Sequence, residues 1–202
     1  WISPKGGIWF SIILHPKFNI SNTTLFPIAS SLALFYAIQK TCKIKTELKW
    51  PNDLTIKGKK LAGMLVDVSL ESNKIENLVL GVGINFNVNT KEIEKMLKKT
   101  PNYYGVSSIN EIKIEATPIK LIQSFLLELE KVYNDLNTNQ TNKIILEWTK
   151  RSSTIGKQVE IETVNGKIKG EAIKLDHDGG LIIKCEVGKE KVIAGDIVHI
   201  SK

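Results

Sequence analysis

The spacing of apolar and polar positions divides the chain into two parts. In the first 150 residues, short apolar runs alternate with segments whose apolar residues recur every three or four positions. The runs predict strands over 6–14, 47–50, 54–70 with a turn at Gly58, and 77–88. The three-and-four spacing predicts helices over 24–42, with Thr24 as N-cap, and over 91–99, 117–136 and 141–150.

After about residue 153 the apolar positions alternate with period two. Turn-forming residues such as Asn165-Gly166 and Asp178-Gly179-Gly180 interrupt this pattern repeatedly. About five short strands without a helix are typical of a small β-barrel. We therefore predict two domains, 1–152 and 153–202.

Composition limits the broad class of the protein. The chain has 202 residues, of which 42% are hydrophobic and 24% charged, and no apolar run approaches the roughly 20 residues of a membrane span. The first residues lack the basic stretch followed by an apolar stretch that marks a signal peptide. Cys42 and Cys185 match no metal-ligand spacing. We expect a cytoplasmic protein without a membrane partner. Because the chain starts with Trp1 in what resembles mid-domain sequence, we also expect its N-terminal portion to be lacking.

The net charge of +7 favours anionic partners but does not identify one. Arg151 is the single arginine, and no aromatic-basic alternation marks a nucleic-acid groove. A lysine-rich solvated surface explains the charge equally well.

The segment KWPNDLTIKGKKLAGML (49–65) concentrates chemically useful side chains. Pro51 stops a strand and would fix Asn52 and Asp53 at its end, where side chains converge on ligands. Lys60 could direct a point charge at a phosphate or carboxylate, and Gly63 would let a ligand approach the backbone. A surface hairpin that carries these turn-forming and polar residues without a function remains the alternative interpretation.

The segment GVGIN (81–85) places two glycines in an apolar strand, which indicates close packing against the backbone. It is not a dinucleotide fingerprint, because Phe86 stands where the third glycine would fall. By itself this segment is a weak signal.

Taken in order, WISPKGGIWFSIIL, KWPNDL, KKLAGML, GVGIN and AGDIVHI closely resemble the biotin–protein ligase family, and the resemblance covers nearly the whole chain. It implies an α+β fold, in which a mixed β-sheet with packed helices of the class II synthetase-like type precedes a small SH3-like barrel. It also implies the use of ATP and Mg²⁺ to convert biotin to biotinyl-5′-AMP. The biotin then passes to a lysine of a biotin carboxyl carrier protein domain. No metal-ligating residue of the chain is implied. A homodimer is left open, and DNA is implied only if a helix-turn-helix domain lies upstream.

The resemblance also implies roles for individual residues. Lys60 stabilises the reacting anions and contacts biotin, and Asp53 orients and deprotonates the acceptor amine. The implied biotin-slot residues are Gly63, Leu65 and Gly83, and the implied nucleotide-binding residues are Trp1, Lys49, Asn52 and Asn85. For Lys49 an ordinary strand lysine, and for Leu65 and the glycines simple core packing, remain alternatives. Family residues that hold the biotin ureido group would precede Trp1, so we expect these 202 residues alone to bind biotin poorly.

Three other functions remain open on sequence grounds. A lipoyl or octanoyl transferase belongs to the same superfamily, but KWPND and the terminal barrel argue against it. A non-catalytic regulator could bind biotinyl-adenylate and control DNA or a partner. A nucleic-acid-binding module would suit the charge and the barrel, but lacks arginines and stacking aromatics.

Overall fold

The computed structural model describes residues 2–72, 74–100, 102–111, 116–163 and 166–199. Its first sheet has the strand order β1-β5-β4-β3-β2, formed by β1 (Ile8–Leu14), β2 (Glu47–Lys49), β3 (Asp53–Ile56), β4 (Lys59–Glu71) and β5 (Lys74–Ile84). The predicted α+β class is confirmed. Within the described part of the chain, the ladders of this sheet are all antiparallel, and parallel pairing occurs only as isolated bridges rather than as the expected mixed sheet.

In the part of the chain that the structure describes, four α-helices accompany this sheet: α1 (Phe26–Cys42), α2 (Thr90–Leu97), α3 (Pro118–Asn137) and α4 (Thr141–Thr149). The predicted N-cap of α1 is wrong, because Leu25 occupies that position and the Thr24 hydroxyl donates to the Ser21 carbonyl in the preceding turn. None of the described helices combines the length and the apolar character needed to cross a membrane.

Helices α1 and α3 pack on one face of the sheet, and α4 packs against these two helices. The covered face carries alternate strand residues that are buried, including Leu54, Ala62 and Met64. Phe10 of β1 meets Phe125 of α3 edge-on, with ring centroids 6.0 Å apart. The opposite face carries the intervening residues and is open, which leaves room for a site there.

The second sheet has the order β10-β6-β7-β8-β9, formed by β6 (Gln158–Thr163), β7 (Gly166–Leu175), β8 (Leu181–Cys185), β9 (Gly188–Val192) and β10 (Asp196–His199). The expected barrel is not closed, since the described strands include no ladder between β9 and β10. Gly195, directly before β10, permits a close approach to β6. Its φ is +155°, and a Cβ there would lie 2.7 Å from Ile161 of β6. Strand β10 therefore lies beside β6 and pairs with it in antiparallel orientation.

The second sheet is anchored at the KWPND segment. The Trp50 backbone N–H donates to the Thr154 hydroxyl over 3.1 Å, and the Trp50 indole N–H donates to the Gly179 carbonyl over 3.0 Å. Leu48 forms a parallel bridge with Ser152. The predicted domain boundary at residues 152 and 153 falls in this connection and stays a prediction.

Candidate active site

A single row of paired residues crosses the open face of the first sheet. Lys49 pairs with Asp53, Asp53 with Gly63, Gly63 with Gly83, and Gly83 with Trp9. Directly opposed residues of antiparallel strands share a face, so these five lie in line. The two glycines form a low floor between the indole at one side and the carboxylate at the other.

Lys60 joins this row because the pairing of β3 with β4 is irregular. The register shifts between Leu54 and Thr55, so that Lys60 lies opposite Thr55. Thr55 is two residues from Asp53 and therefore shares its face. The shift therefore places Lys60 on the same face of the sheet as Gly63, although the two are three residues apart. A β-bulge redirects a side chain in the same way. Its ammonium Nζ lies 2.7 Å from Asp53 Oδ1.

Gly63 leaves the space that this ion pair occupies. A Cβ at position 63 would lie 2.7 Å from Asp53 Oδ1 and 2.9 and 3.0 Å from Lys60 Cε and Nζ. The first two distances are shorter than real Cβ contacts, and the third is tighter than nine in ten of them. The glycine was predicted to admit a ligand to the backbone, and in the structure the missing side chain also makes room for the Lys60–Asp53 pair.

The sequence did not single out Tyr104, which completes the cluster. Its hydroxyl donates to Asp53 Oδ2, so both oxygens of this carboxylate have a partner. The ammonium of Lys49, a buried residue, lies 3.1 Å from the centroid of the Tyr104 ring. Such a cation–π contact stabilises a charge that has lost part of its water. The tyrosine pair before Gly105 was the available signal in the sequence.

Three cavities meet at Lys60. The first, about 580 Å³, lies over the two glycines and is called here the glycine-floored cavity. The second, about 190 Å³, lies between Asn85 and residues 97–100 and 102–106 and is called the loop cavity. The third, about 640 Å³, opens towards the second sheet and is called the inter-sheet cavity. Lys60 lines all three.

The loop cavity combines apolar walls with a few polar groups. Ile93, Leu97 and Val106 line it. The amide of Asn85, a buried residue, donates to the Lys60 carbonyl over 3.2 Å. The Tyr103 hydroxyl is buried, and no described residue supplies it with a hydrogen-bond partner. Burial raises the pKa of this hydroxyl, so it stays protonated and can donate to a ligand.

The structure brings most of the predicted site residues together. Gly63, Leu65 and Gly83 line the glycine-floored cavity, together with Asp53 and Lys60. Asn85 lines the loop cavity.

Two predicted nucleotide ligands, Lys49 and Asn52, are placed differently from Asn85. Lys49 and Asn52 line the inter-sheet cavity instead of the loop cavity, and the Asn52 side-chain amide donates to the Met64 carbonyl. Trp1 lies outside the described residues. Within the described ranges, no three His, Cys, Asp or Glu side chains cluster as metal ligands would.

Two family models match the chain. Residues 1–85 match the biotin/lipoate A/B protein ligase family, and residues 154–200 match the biotin protein ligase C-terminal domain. The first match contains the glycine floor, Asp53 and Lys60, and the second contains all five described strands of the second sheet.

Relatives and solved structures agree with these matches. The bifunctional ligase/repressor BirA of Bacillus spizizenii is 32% identical over 98% of this chain and 60% of its own length. A biotin–[acetyl-CoA-carboxylase] ligase of Mycobacterium tuberculosis is 33% identical over 77% of this chain and 54% of its own length. The Aquifex aeolicus biotin protein ligase in complex with biotin and ATP superposes with a TM-score of 0.81, at 23% identity, over 100% of this chain and 82% of that chain.

The chain therefore spans about 60% of the length of the curated relative from Bacillus spizizenii. Both family matches, the relatives and the shared fold point the same way. The chain belongs to the biotin protein ligase family.

Proposed function

We propose that this chain carries the catalytic centre of a biotin–protein ligase, which activates biotin with ATP and transfers it to a lysine of a carrier protein. The observation that carries the proposal is the position of Lys60, which lines three cavities at once. Joining biotin, ATP and a protein lysine requires three reactants to converge on one point. A fixed cation at that point suits a reaction between two anions.

In the first half-reaction, biotin occupies the glycine-floored cavity and ATP the loop cavity. A carboxylate oxygen of biotin attacks the α-phosphorus, the bond to the bridging oxygen breaks, and pyrophosphate leaves. Lys60 reduces the repulsion between the two anions and stabilises the charge on the phosphoryl oxygens. Mg²⁺ would arrive on the phosphates of ATP, because this ion is usually held by substrate phosphates and its own waters rather than by a dedicated protein cage.

The nucleotide would be held mainly by the loop cavity. Asn85 and Tyr103 supply polar groups to the base and ribose, and the apolar walls exclude water. Trp1 would stack on the adenine, as the family resemblance implies. Lys49 and Asn52 would act from the inter-sheet cavity, with Lys49 adding positive charge near the phosphates.

In the second half-reaction, the acceptor lysine enters through the inter-sheet cavity, which Asp53 and Lys60 also line. Its nitrogen attacks the acyl carbon of biotinyl-5′-AMP, the bond from that carbon to the phosphate oxygen breaks, and AMP leaves. Asp53 orients the amine and takes the proton that the nitrogen loses. The acceptor is a biotin carboxyl carrier domain of a biotin-dependent carboxylase. A homodimer, and contact with DNA through an upstream helix-turn-helix domain, stay predictions.

The test uses the native polypeptide that contains these residues, with ATP, Mg²⁺, labelled biotin and a carrier domain. We expect label on the carrier lysine. Lys60→Ala should abolish pyrophosphate release and keep the melting temperature of the wild type. Lys59→Ala is the matched control, because the Lys59 ammonium is half exposed and lies 3.6 Å from Glu94.

Other outcomes would contradict the proposal. Undiminished pyrophosphate release in Lys60→Ala would remove Lys60 from the mechanism. Adenylate formation without transfer would indicate the non-catalytic regulator, and incorporation of lipoate instead of biotin would indicate a lipoate ligase.

A further inference from the structure

The chain segment after α2 is fastened beside Lys60 by its backbone. The Lys60 N–H donates to the Gly105 carbonyl over 3.0 Å, and the Ser107 N–H donates to the Lys60 carbonyl over 2.8 Å. Gly105 has φ +95°, and a Cβ there would lie 3.0 Å from Lys59 Cγ. A glycine is therefore needed for this close approach. The backbone on the C-terminal side of Tyr104 is thus fixed next to the reacting centre.

From this position, the Tyr104 side chain reaches into the catalytic row. Its hydroxyl donates to Asp53 Oδ2, whereas Lys60 contacts Oδ1 of the same carboxylate. The ammonium of Lys49 lies over the ring. A carboxylate with a donor on each oxygen cannot rotate about its own bond without losing one of them. Tyr104 therefore controls the orientation of Asp53.

The same residue lines both the loop cavity and the inter-sheet cavity. It thus connects the compartment assigned to the nucleotide with the route assigned to the acceptor amine. Its hydroxyl contacts Asp53, the residue assigned to the amine, and this contact bears on the second half-reaction rather than the first.

We infer that Tyr104 is a positioning residue for biotin transfer, whose hydroxyl holds the Asp53 carboxylate in the orientation that receives the acceptor amine. This inference rests on the proposed function. Without the hydroxyl, Oδ2 loses its donor, and the carboxylate can leave the geometry in which the amine attacks. Small losses of alignment of this kind lower the rate of a bimolecular step strongly.

The variant Tyr104→Phe tests this role, because it removes the hydroxyl and keeps the ring under Lys49. Hydrogen bonds to charged groups are worth roughly 1.5–3 kcal/mol, so we expect transfer from preformed biotinyl-5′-AMP to slow at least about tenfold. Pyrophosphate release should change by less than about twofold, because Lys60 keeps its own contact with Asp53. The KM for the carrier should stay near that of the wild type.

Tyr36→Phe is the matched control. The Tyr36 hydroxyl also donates to a carboxylate, Glu147 Oε2 at 2.9 Å, but between α1 and α4. This variant should lower the melting temperature and leave the transfer rate per folded molecule unchanged.

A double-mutant cycle with Asp53→Asn separates positioning from a general structural effect. If Tyr104 acts through Asp53, Tyr104→Phe should have little further effect on transfer in the Asp53→Asn background. An equal slowing of both half-reactions, a full effect in the Asp53→Asn background, or no effect on transfer would each overturn the inference. If the wild-type polypeptide does not label the carrier at all, the proposed function fails instead.

Discussion

Gly63→Ala should lower the activity of this protein while its fold persists. The added Cβ would lie 2.7 Å from Asp53 Oδ1, whereas ordinary contact begins at 3.4 Å. The oxygen or the glycine backbone must therefore move by about 0.7 Å, in a cluster where displacements near 1 Å can cost roughly 100-fold in rate. Because Tyr104 and Lys60 hold the carboxylate on both sides, its retreat breaks at least one contact.

We expect adenylate formation at saturating biotin and ATP to fall by about 10- to 100-fold in Gly63→Ala, since the ion pair is displaced from the reacting anions. The fold should persist. Gly63 does not have the positive φ that excludes side chains, and alanine restricts the unfolded chain more than glycine does. Pyrophosphate release measures the rate, and thermal unfolding measures the stability.

Gly81→Ala is the matched control for this substitution. Gly81 pairs with Leu65 in the same two strands, and a Cβ there meets no atom closer than 3.7 Å. Its methyl group projects into the same glycine-floored cavity, so it can raise the KM for biotin while the saturated rate stays near the wild type. A saturated rate in Gly63→Ala that also equals the wild type would refute the assignment of the Lys60–Asp53 pair to the chemistry.

Three further predictions concern other parts of the molecule. Tyr103→Phe removes a buried hydroxyl without a described partner, so the ligand-free protein should melt higher while the KM for ATP rises; a lower melting temperature would contradict this. Gly179→Ala should cost about 1–2 kcal/mol in chemical unfolding, because Gly179 has φ +83° and its Cβ would lie 3.1 Å from Ile28; an unchanged midpoint would contradict it. Hydrogen bonds from Lys150 and then from Tyr36 lower the pKa of Glu147 from 4.5 to about 2. This contribution to stability is present above pH 4.5 and lost as the pH falls towards 2, so Glu147→Gln should reduce the loss of melting temperature between about pH 6 and pH 3.

Much of the fold was predictable because local spacing determines local structure. The apolar positions at spacing three and four in 117–136 predicted α3, which begins at Pro118, and Gly58 was correctly placed at the turn between β3 and β4. The N-cap of α1 was wrong for a physical reason. Thr24 takes part in a hydrogen bond of the preceding turn, and this competing contact with Ser21 is not visible in the spacing.

The candidate site was predictable only in part. Strand ends and glycines pointed to Asp53 and Gly63, but Tyr104 lies 51 positions beyond Asp53 and is brought to it only by the folded chain. The face on which Lys60 lies depends on a register shift between two strands. Simple alternation along β4 would have placed Lys60 and Gly63 on opposite faces.

The sequence by itself therefore determined which segments become strands and helices, and which motif marks the family. These depend on neighbours within a few positions and on residue types such as Pro51 and Gly58. The tertiary structure decided which charges meet and which cavity each residue lines. It also decided that position 63 has no room for a side chain. These are distances between strands and loops far apart in the chain, and the pairing register and packing of the whole sheet set them.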